Sequence, residues 1–259
     1  MIPAYVPGHD LLKDRVVVIT AAAGAGIGGA TARRCLEEGA SVLISDAHER
    51  RLGQSLAELE KEFGAGRVAA VPCDVTSEEQ VGRLYGTAVE RFGRVDVAVN
   101  NAGLGGTAEL AEMTDEQWDR VLDITLTGTM RCTRAALRIM RDRPGGGAIV
   151  NNASVIGWRA QRGQAHYAAA KAGVMALTRC AALEAADFGV RVNAVSPSLA
   201  MHPHLVKVTS AELLEELTAR EAFGRYAEPW EVANVIVFLA CDYSSYMTGE
   251  VVSVSSQHA

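Results

Sequence analysis

Three side chains in the second half of the chain have the types and spacing of a proton-transfer centre. Tyr167 and Lys171 frame the run Tyr-Ala-Ala-Ala-Lys, so on a helix they share one face, a turn apart. A phenol titrates near ~10 in water and is a poor base at neutral pH. A nearby ammonium favours the phenolate. The pair, helped by the positive charge of a nicotinamide, therefore predicts a Tyr167 of lowered pKa that takes or gives a proton while a hydride moves alongside. Ser154 closes the run Asn-Asn-Ala-Ser, 13 residues before Tyr167, where its hydroxyl can hold a substrate oxygen against the phenol.

A second chemical signal lies upstream, in Val-Val-Val-Ile-Thr-Ala-Ala-Ala-Gly-Ala-Gly-Ile-Gly-Gly. Gly24, Gly26 and Gly28, with Ile27 between, form a turn that lets backbone approach a pyrophosphate at a helix N-terminus. Asp46 ends the next apolar run, 18 residues after Gly28, where a carboxylate accepts from adenosine ribose hydroxyls and repels a 2′-phosphate. NAD is thus expected over NADP. His48, Arg50 and Arg51 read as the solvated first turn of the following helix.

The elements that must position these groups alternate along the whole chain. Strands are predicted at Arg15–Thr20, Ser41–Ser45, Arg67–Pro72, Val95–Asn100, Ala148–Asn152, Val190–Val195 and Glu250–Val254. Most are continuous apolar runs, the pattern of strands buried on both faces. Helices are predicted at Gly28–Glu38, Glu49–Phe63, Ser77–Phe92, Thr114–Arg141, Tyr167–Phe188 and Ala211–Glu221. That order implies an α/β fold: one Rossmann-like, doubly wound parallel sheet of about seven strands, with helices on both faces. A single dinucleotide-binding domain is expected over 1–259, with an N-terminal arm at 1–13 and a mobile substrate lid at 196–223.

Composition narrows the classes. The chain has 259 residues, 49% hydrophobic and 22% charged, enough to bury one large core without staples. A net charge of −6 argues against a nucleic-acid partner. No uninterrupted apolar run is long enough for a membrane span, and the N-terminus lacks the charged-then-apolar pattern of a secretory signal. Five dispersed cysteines indicate reduced thiols and a cytoplasmic location, and no metal site is expected, His166, His202 and His204 included.

Taken together, Gly26-Ile27-Gly28, Cys73-Asp74-Val75, Asn100-Asn101-Ala102-Gly103, Ser154…Tyr167-x-x-x-Lys171 and Arg191-Val192-Asn193-Ala194-Val195-Ser196-Pro197 resemble the short-chain dehydrogenase/reductase family from Leu11 onward. The resemblance implies that Asp74 and Val75 flank the adenine. It also implies that Asn101, Ala102, Gly103, Pro197 and Ser198 line the cofactor, and that Lys171 holds the nicotinamide ribose. A homotetramer, built partly through the helices at Thr114–Arg141 and Tyr167–Phe188, is implied as well.

Several positions depart from the family pattern. Ala21 stands where glycine is usual, Ser198 follows Pro197 in place of glycine, and His202 replaces a threonine. The ending Val-Ser-Val-Ser-Ser-Gln replaces Val-Asp-Gly-Gly. Thr125 occupies the place of an asparagine that helps relay protons to the lysine, and is counted here with the catalytic residues in an altered form. The strings carrying these departures resemble an actinobacterial branch of the family that breaks down steroid C and D rings. That likeness implies oxidation of a ring hydroxyl to a ketone on a methyl-indanone propanoyl-CoA.

Between Ser154 and Tyr167, the apolar Val155, Ile156 and Trp158 suit a bulky ring, and Arg159 or Arg162 suits CoA phosphates, unless either pairs with a surface acid. Two other readings compete with an NAD-linked alcohol dehydrogenase acting on an acyl-CoA. One is an NADPH-dependent 3-oxoacyl reductase acting on acyl-carrier-protein or CoA esters; the other is a non-catalytic dinucleotide-binding regulator. A nucleoside-sugar epimerase is disfavoured by the lack of a further substrate domain.

Overall fold

The structure, a computed structural model, describes residues 2–201, 205–206 and 210–256; His202 and His204 lie outside them. Seven parallel strands make one sheet: β1 (Val16–Ile19), β2 (Ser41–Asp46), β3 (Val68–Pro72), β4 (Val97–Asn100), β5 (Gly147–Asn152), β6 (Val190–Pro197) and β7 (Val251–Val254). Their spatial order is β3-β2-β1-β4-β5-β6-β7. After β1 the chain winds outward to β3 and then returns to place β4 on β1's other side. This opens a crevice at the carboxyl ends of β1 and β4, the usual ligand position in such sheets. Val17 pairs with Val97 and Asn100 with Asn151, so the polar ends of β4 and β5 lie side by side at that crevice.

Eight α-helices are described: α1 (Ile27–Glu37), α2 (Glu49–Phe63), α3 (Glu78–Phe92), α4 (Asp115–Leu122), α5 (Gly128–Met140), α6 (Ala165–Ala185), α7 (Ala211–Ala219) and α8 (Pro229–Ala240). Their ends follow local chemistry. The Ser77 hydroxyl accepts from the Gln80 N–H to start α3, and Gly93 ends it in a left-handed conformation. Thr114 and Gln117 form a reciprocal capping box on α4.

The strands are apolar on both faces because both faces are covered. Val17, Ile19 and Val150 pack with Leu36 and Ile236 on one side. Val18, Ala98 and Ile149 pack with Leu84, Tyr85 and Ala136 on the other.

Three local departures from the sequence reading matter. The single helix expected at Thr114–Arg141 is interrupted by a π-turn at Asp123–Thr127, which joins α4 to α5. Helix α8, whose run Trp-Glu-Val-Ala-Asn-Val-Ile-Val-Phe-Leu-Ala is apolar almost all round, has no counterpart among the expected helices. The N-terminal arm is tied down. The buried Glu38 carboxylate accepts from the N–H groups of His9 and Leu11 at 2.7 and 3.1 Å, and Leu12 sits in the core. Tyr5 donates to Glu37 and meets the Trp230 ring edge-on.

Candidate active site

Strand β5 ends two residues before Ser154, whose extended backbone (φ −168°) opens a short 3-10 turn at Val155–Gly157. The Ser154 hydroxyl accepts from the Ile156 N–H at 3.3 Å. Helix α6 starts at Ala165 and carries Tyr167 and Lys171 on one face, with the Lys171 Nζ 5.5 Å from the Tyr167 ring centroid. Lys171 is buried, and its ammonium donates to the Asn152 main-chain oxygen at 2.5 Å.

Burial pulls the Lys171 ammonium down from 10.5 to about 8. Burial also pushes the Tyr167 phenol up to about 12, with the hydrogen bond from Ser154 pulling the other way. In this structure desolvation is the largest influence on the phenol, so Tyr167 stands above its ordinary value; the lowering expected from the ammonium acting with a positive nicotinamide is a property of the loaded site.

That burial comes from the loop after β4. A Cβ on Gly103 would lie 3.4 Å from the Lys171 Nζ, one on Gly105 would touch the Tyr167 ring, and one on Gly106 would press on the buried His166. The loop is held from below by Thr125, which lies within the π-turn, a distortion that recurs at functional positions. Its hydroxyl accepts from the Leu104 N–H at 2.9 Å and donates to the Leu104 carbonyl at 3.0 Å. The Thr125 carbonyl in turn accepts from the Thr129 hydroxyl at 2.8 Å. Thr125 thus meets Leu104, and Lys171 meets Asn152.

The glycine turn lies at the carboxyl end of β1. Gly24 has φ +87°, a conformation L side chains rarely adopt. A Cβ on Gly28 would lie 2.3 Å from the Ala21 carbonyl oxygen and 2.5 Å from the Asn101 amide nitrogen. What crowds Gly28 is therefore the turn itself, tightly closed on the helix. Ala21 adopts φ +50°, which explains why glycine is usual there.

Gly26 caps α1 without a side-chain hydrogen bond, and the first turn of α1 carries no acid. Its N–H groups and positive dipole end suit a pyrophosphate, so the turn fits the dinucleotide that the motifs imply. Asn101 ties β4 to this turn. Its side-chain amide donates to the carbonyls of Thr20 and Ala21, and the Thr20 hydroxyl accepts from the N–H groups of Asn101 and Ala102.

Asp46 is nearly buried at the end of β2, where its Oδ1 accepts from the His48 N–H at 2.8 Å and from Arg51 at 3.1 Å. Arg51 is thus more than part of a solvated first turn, because it reaches back to the acid. Asp74 is exposed, and its carboxylate accepts from the N–H and hydroxyl of Thr76; Val75 is buried against Gly128. Pro197 ends β6, and the Ser198 N–H donates to the Val254 carbonyl.

Among the substrate candidates, Val155 is buried, Ile156 and Arg159 are half-buried, and the Trp158 indole is exposed. Arg162 pairs with Glu109 at 2.7 Å on the surface, as its surface-pair alternative anticipated. The sequence reading assigned no role to Leu104 or to the side chain of Asn152; the doubled Asn-Asn before Ala153 is the one signal that singled out Asn152. Among the described residues no His, Cys, Asp or Glu cluster could hold a metal, and no helix is long and apolar enough to cross a membrane.

A doubly wound sheet, an uncapped helix opening from a glycine turn, and a Ser–Tyr–Lys centre across the crevice define a nicotinamide-linked oxidoreductase. The chain belongs to the short-chain dehydrogenase/reductase family: a family model described as enoyl-(acyl carrier protein) reductase matches residues 21–256. The enzyme interconverts an alcohol and a ketone.

It is 66% identical over 256 residues, 99% of this chain and 97% of the relative, to a Mycobacterium tuberculosis (5R,7aS)-5-hydroxy-7a-methyl-1-oxo-2,3,5,6,7,7a-hexahydro-1H-indene-carboxyl-CoA reductase. A 3-oxoacyl-[acyl-carrier-protein] reductase of Thermotoga maritima is 38% identical, covering 94% of this chain and 97% of that one. A crystal structure of a short-chain dehydrogenase from Mycobacterium smegmatis superposes with a TM-score of 0.89 at 62% identity, covering 100% of this chain and 99% of that one.

Proposed function

We propose that the enzyme transfers hydride between NAD(H) and a ring-borne alcohol or ketone of an acyl-CoA, in the breakdown of steroid C and D rings. The observation that carries the substrate class is the 66% identity, over nearly the whole of both chains, to a reductase whose name specifies a bicyclic carboxyl-CoA. The 3-oxoacyl reductase reading has the weaker support, at 38% identity.

When bound, the dinucleotide supplies or accepts the hydride at its nicotinamide. Ser154 and Tyr167 hydrogen-bond the substrate oxygen. With its phenol up near 12, Tyr167 is loaded as the acid that protonates an oxyanion in the reductive direction. In the oxidative direction it must first lose that proton, and the neighbouring Lys171 ammonium favours the loss.

Selection of NAD over NADP rests on Asp46. Both of its partners fall on Oδ1, which leaves Oδ2 for ribose hydroxyls. Gly24, Gly26, Ile27 and Gly28 receive the pyrophosphate, Asp74 and Val75 flank the adenine, and Asn101, Ala102, Gly103, Pro197 and Ser198 line the remainder. Val155, Ile156, Trp158 and Arg159 face the substrate. Ser196 and Pro197 belong to β6, and the part of the stretch 196–223 beyond the strand acts as the substrate lid; α7, within it, buries none of its residues. The working enzyme is a cytoplasmic homotetramer.

The test follows the absorbance of NADH and of NADPH with the hydroxy-methyl-oxo-hexahydroindene-carboxyl-CoA, its ketone, and 3-oxoacyl-CoA esters. Turnover of the ring thioester with NAD(H) is expected, and a clear preference for 3-oxoacyl esters with NADPH would sink the proposal. Tyr167→Phe should lower kcat about 10²–10⁴-fold with NADH binding unchanged. Full turnover by that variant would remove Tyr167 from the chemistry.

A further inference from the structure

Asn152 ends β5 on the face that carries Val150, the face covered by α1 and the glycine turn. Its main-chain oxygen holds the Lys171 ammonium, and its side chain reaches the other way. The Asn152 Nδ2 donates to the Asn101 Oδ1 at 2.9 Å, while the Asn101 Nδ2 donates to the carbonyls of Thr20 and Ala21. This fixes the orientation of both amides. Turning the Asn152 amide over would set its oxygen against the Asn101 oxygen, two acceptors with no proton between them.

The chain of donors leaves one group over. The Asn152 Oδ1 is buried and has no hydrogen-bond partner among the described residues. A buried acceptor left unpaired is costly, and such groups are few in native proteins. This one lies in the cofactor crevice, between the turn that receives the pyrophosphate and the lysine of the catalytic centre.

We propose that Asn152 is a cofactor-contact residue whose Oδ1 accepts a hydrogen bond from an O–H or N–H at the nicotinamide end of the bound dinucleotide. This rests on the nicotinamide-linked reading and adds a partner to it. The side chain then serves two ends of the crevice at once: through Asn101 it braces the turn beneath the pyrophosphate, and through Oδ1 it sets the depth and tilt of the nicotinamide half. The donor must come from outside the protein, since the Lys171 ammonium is engaged by the Asn152 main-chain oxygen, Tyr167 is bonded to Ser154, and the Asn152 amide cannot turn over to find a partner within the protein.

The experiment titrates the full chain with NADH, ADP-ribose and ADP by fluorescence and calorimetry, comparing wild type with Asn152→Leu, which keeps the shape and removes the acceptor together with the donor to Asn101. Asn152→Ala is read in the same way should the leucine variant fail to fold. NADH binding is expected to weaken roughly tenfold more than ADP binding, the extra factor being the worth of about one hydrogen bond and the part shared with ADP being the brace through Asn101. ADP-ribose weakened as much as NADH assigns the donor to a ribose hydroxyl, and ADP-ribose weakened only as much as ADP assigns it to the carboxamide; either supports the proposal. Unchanged NADH binding overturns it. So does equal weakening of NADH and ADP, which would make Asn152 only a brace for the turn. A wild-type chain that binds neither NADH nor NADPH would instead remove the dinucleotide reading itself.

Discussion

Replacing Lys171 with methionine should abolish turnover and yet make the protein more stable at neutral pH. The ammonium is buried and faces a carbonyl oxygen and an aromatic ring, with no carboxylate of the described residues paired to it. Burial lowers its pKa from 10.5 to about 8. At about 1.4 kcal/mol for each tenfold change in proton affinity, holding the charge inside at pH 7 costs roughly 3 kcal/mol. Methionine removes that cost and fills the same channel, but it forfeits a hydrogen bond to the Asn152 oxygen worth about 1 kcal/mol. The net gain is about 2 kcal/mol, or roughly 4–8 °C in Tm for a chain of this size.

The pH dependence separates this cause from better packing alone. Between about pH 8 and 10.5 the unfolded chain keeps the Lys171 proton and the folded chain has shed it, so wild-type stability rises with pH across that window. The advantage of Lys171→Met is therefore full below pH 8, shrinks across the window, and turns into a deficit of about 1 kcal/mol, the lost hydrogen bond, as pH approaches 10.5. Urea unfolding of both proteins near pH 7 and near pH 10, at one fixed protein concentration, reads the difference directly. All other titrating groups cancel between the two proteins. A methionine variant less stable than wild type at pH 7, or one whose advantage stays constant across the window, would refute the reasoning.

Two further outcomes follow from the same geometry. Because burial holds Tyr167 up to about 12, the fraction of phenolate grows with pH throughout the accessible range. Alcohol oxidation should accordingly gain in kcat/KM from pH 7 to 9, and a flat profile there would show that the phenol is already ionised at neutral pH in the working complex. Thr125→Val keeps the volume but strips both hydrogen bonds from the Leu104 backbone, leaving a half-buried N–H and carbonyl unpaired. The expected cost is about 1–3 kcal/mol in urea unfolding, with faster hydrogen exchange confined to the loop after β4. If stability is unaffected and only proton transfer slows, Thr125 belongs to a relay rather than to the loop's support.

Much of this was legible in the sequence because the signals are local. The strands announce themselves as short apolar runs, and the ends of α2 at Glu49 and Phe63 match the expected ones. The pairing of Tyr167 with Lys171 is legible because four residues make one helical turn. What escaped depends on surroundings that periodicity does not encode. The π-turn at Asp123–Thr127 leaves the apolar spacing on either side intact, so nothing in composition marks it. Helix α8 is packed against α1 and the sheet and is apolar almost all round, so it lacks the polar face by which a helix is recognised. The sign of the Tyr167 shift escaped because it is set by how closely the Gly103–Gly106 loop covers the phenol. The contact of Arg51 with Asp46 depends on where the first turn of α2 begins.

The loop after β4 emerges as the part that makes two half-sites into one. Chemistry sits on α6 and at the end of β5, while the pyrophosphate turn sits at the end of β1; β4 lies between those strands in the sheet. Asn101 closes the gap from β4, donating to the turn on one side and accepting from Asn152 on the other. Two residues further on, Gly103 lies against the Lys171 ammonium, and Leu104 is held by Thr125. A displacement of this loop would therefore act on the turn and on the solvation of Lys171 and Tyr167 together. The absence of a side chain at Gly106 follows from the same requirement: the loop must lie flat on α6 to keep water from the lysine and the phenol, and a Cβ at Gly106 would meet the His166 ring at 3.2 Å and lift it.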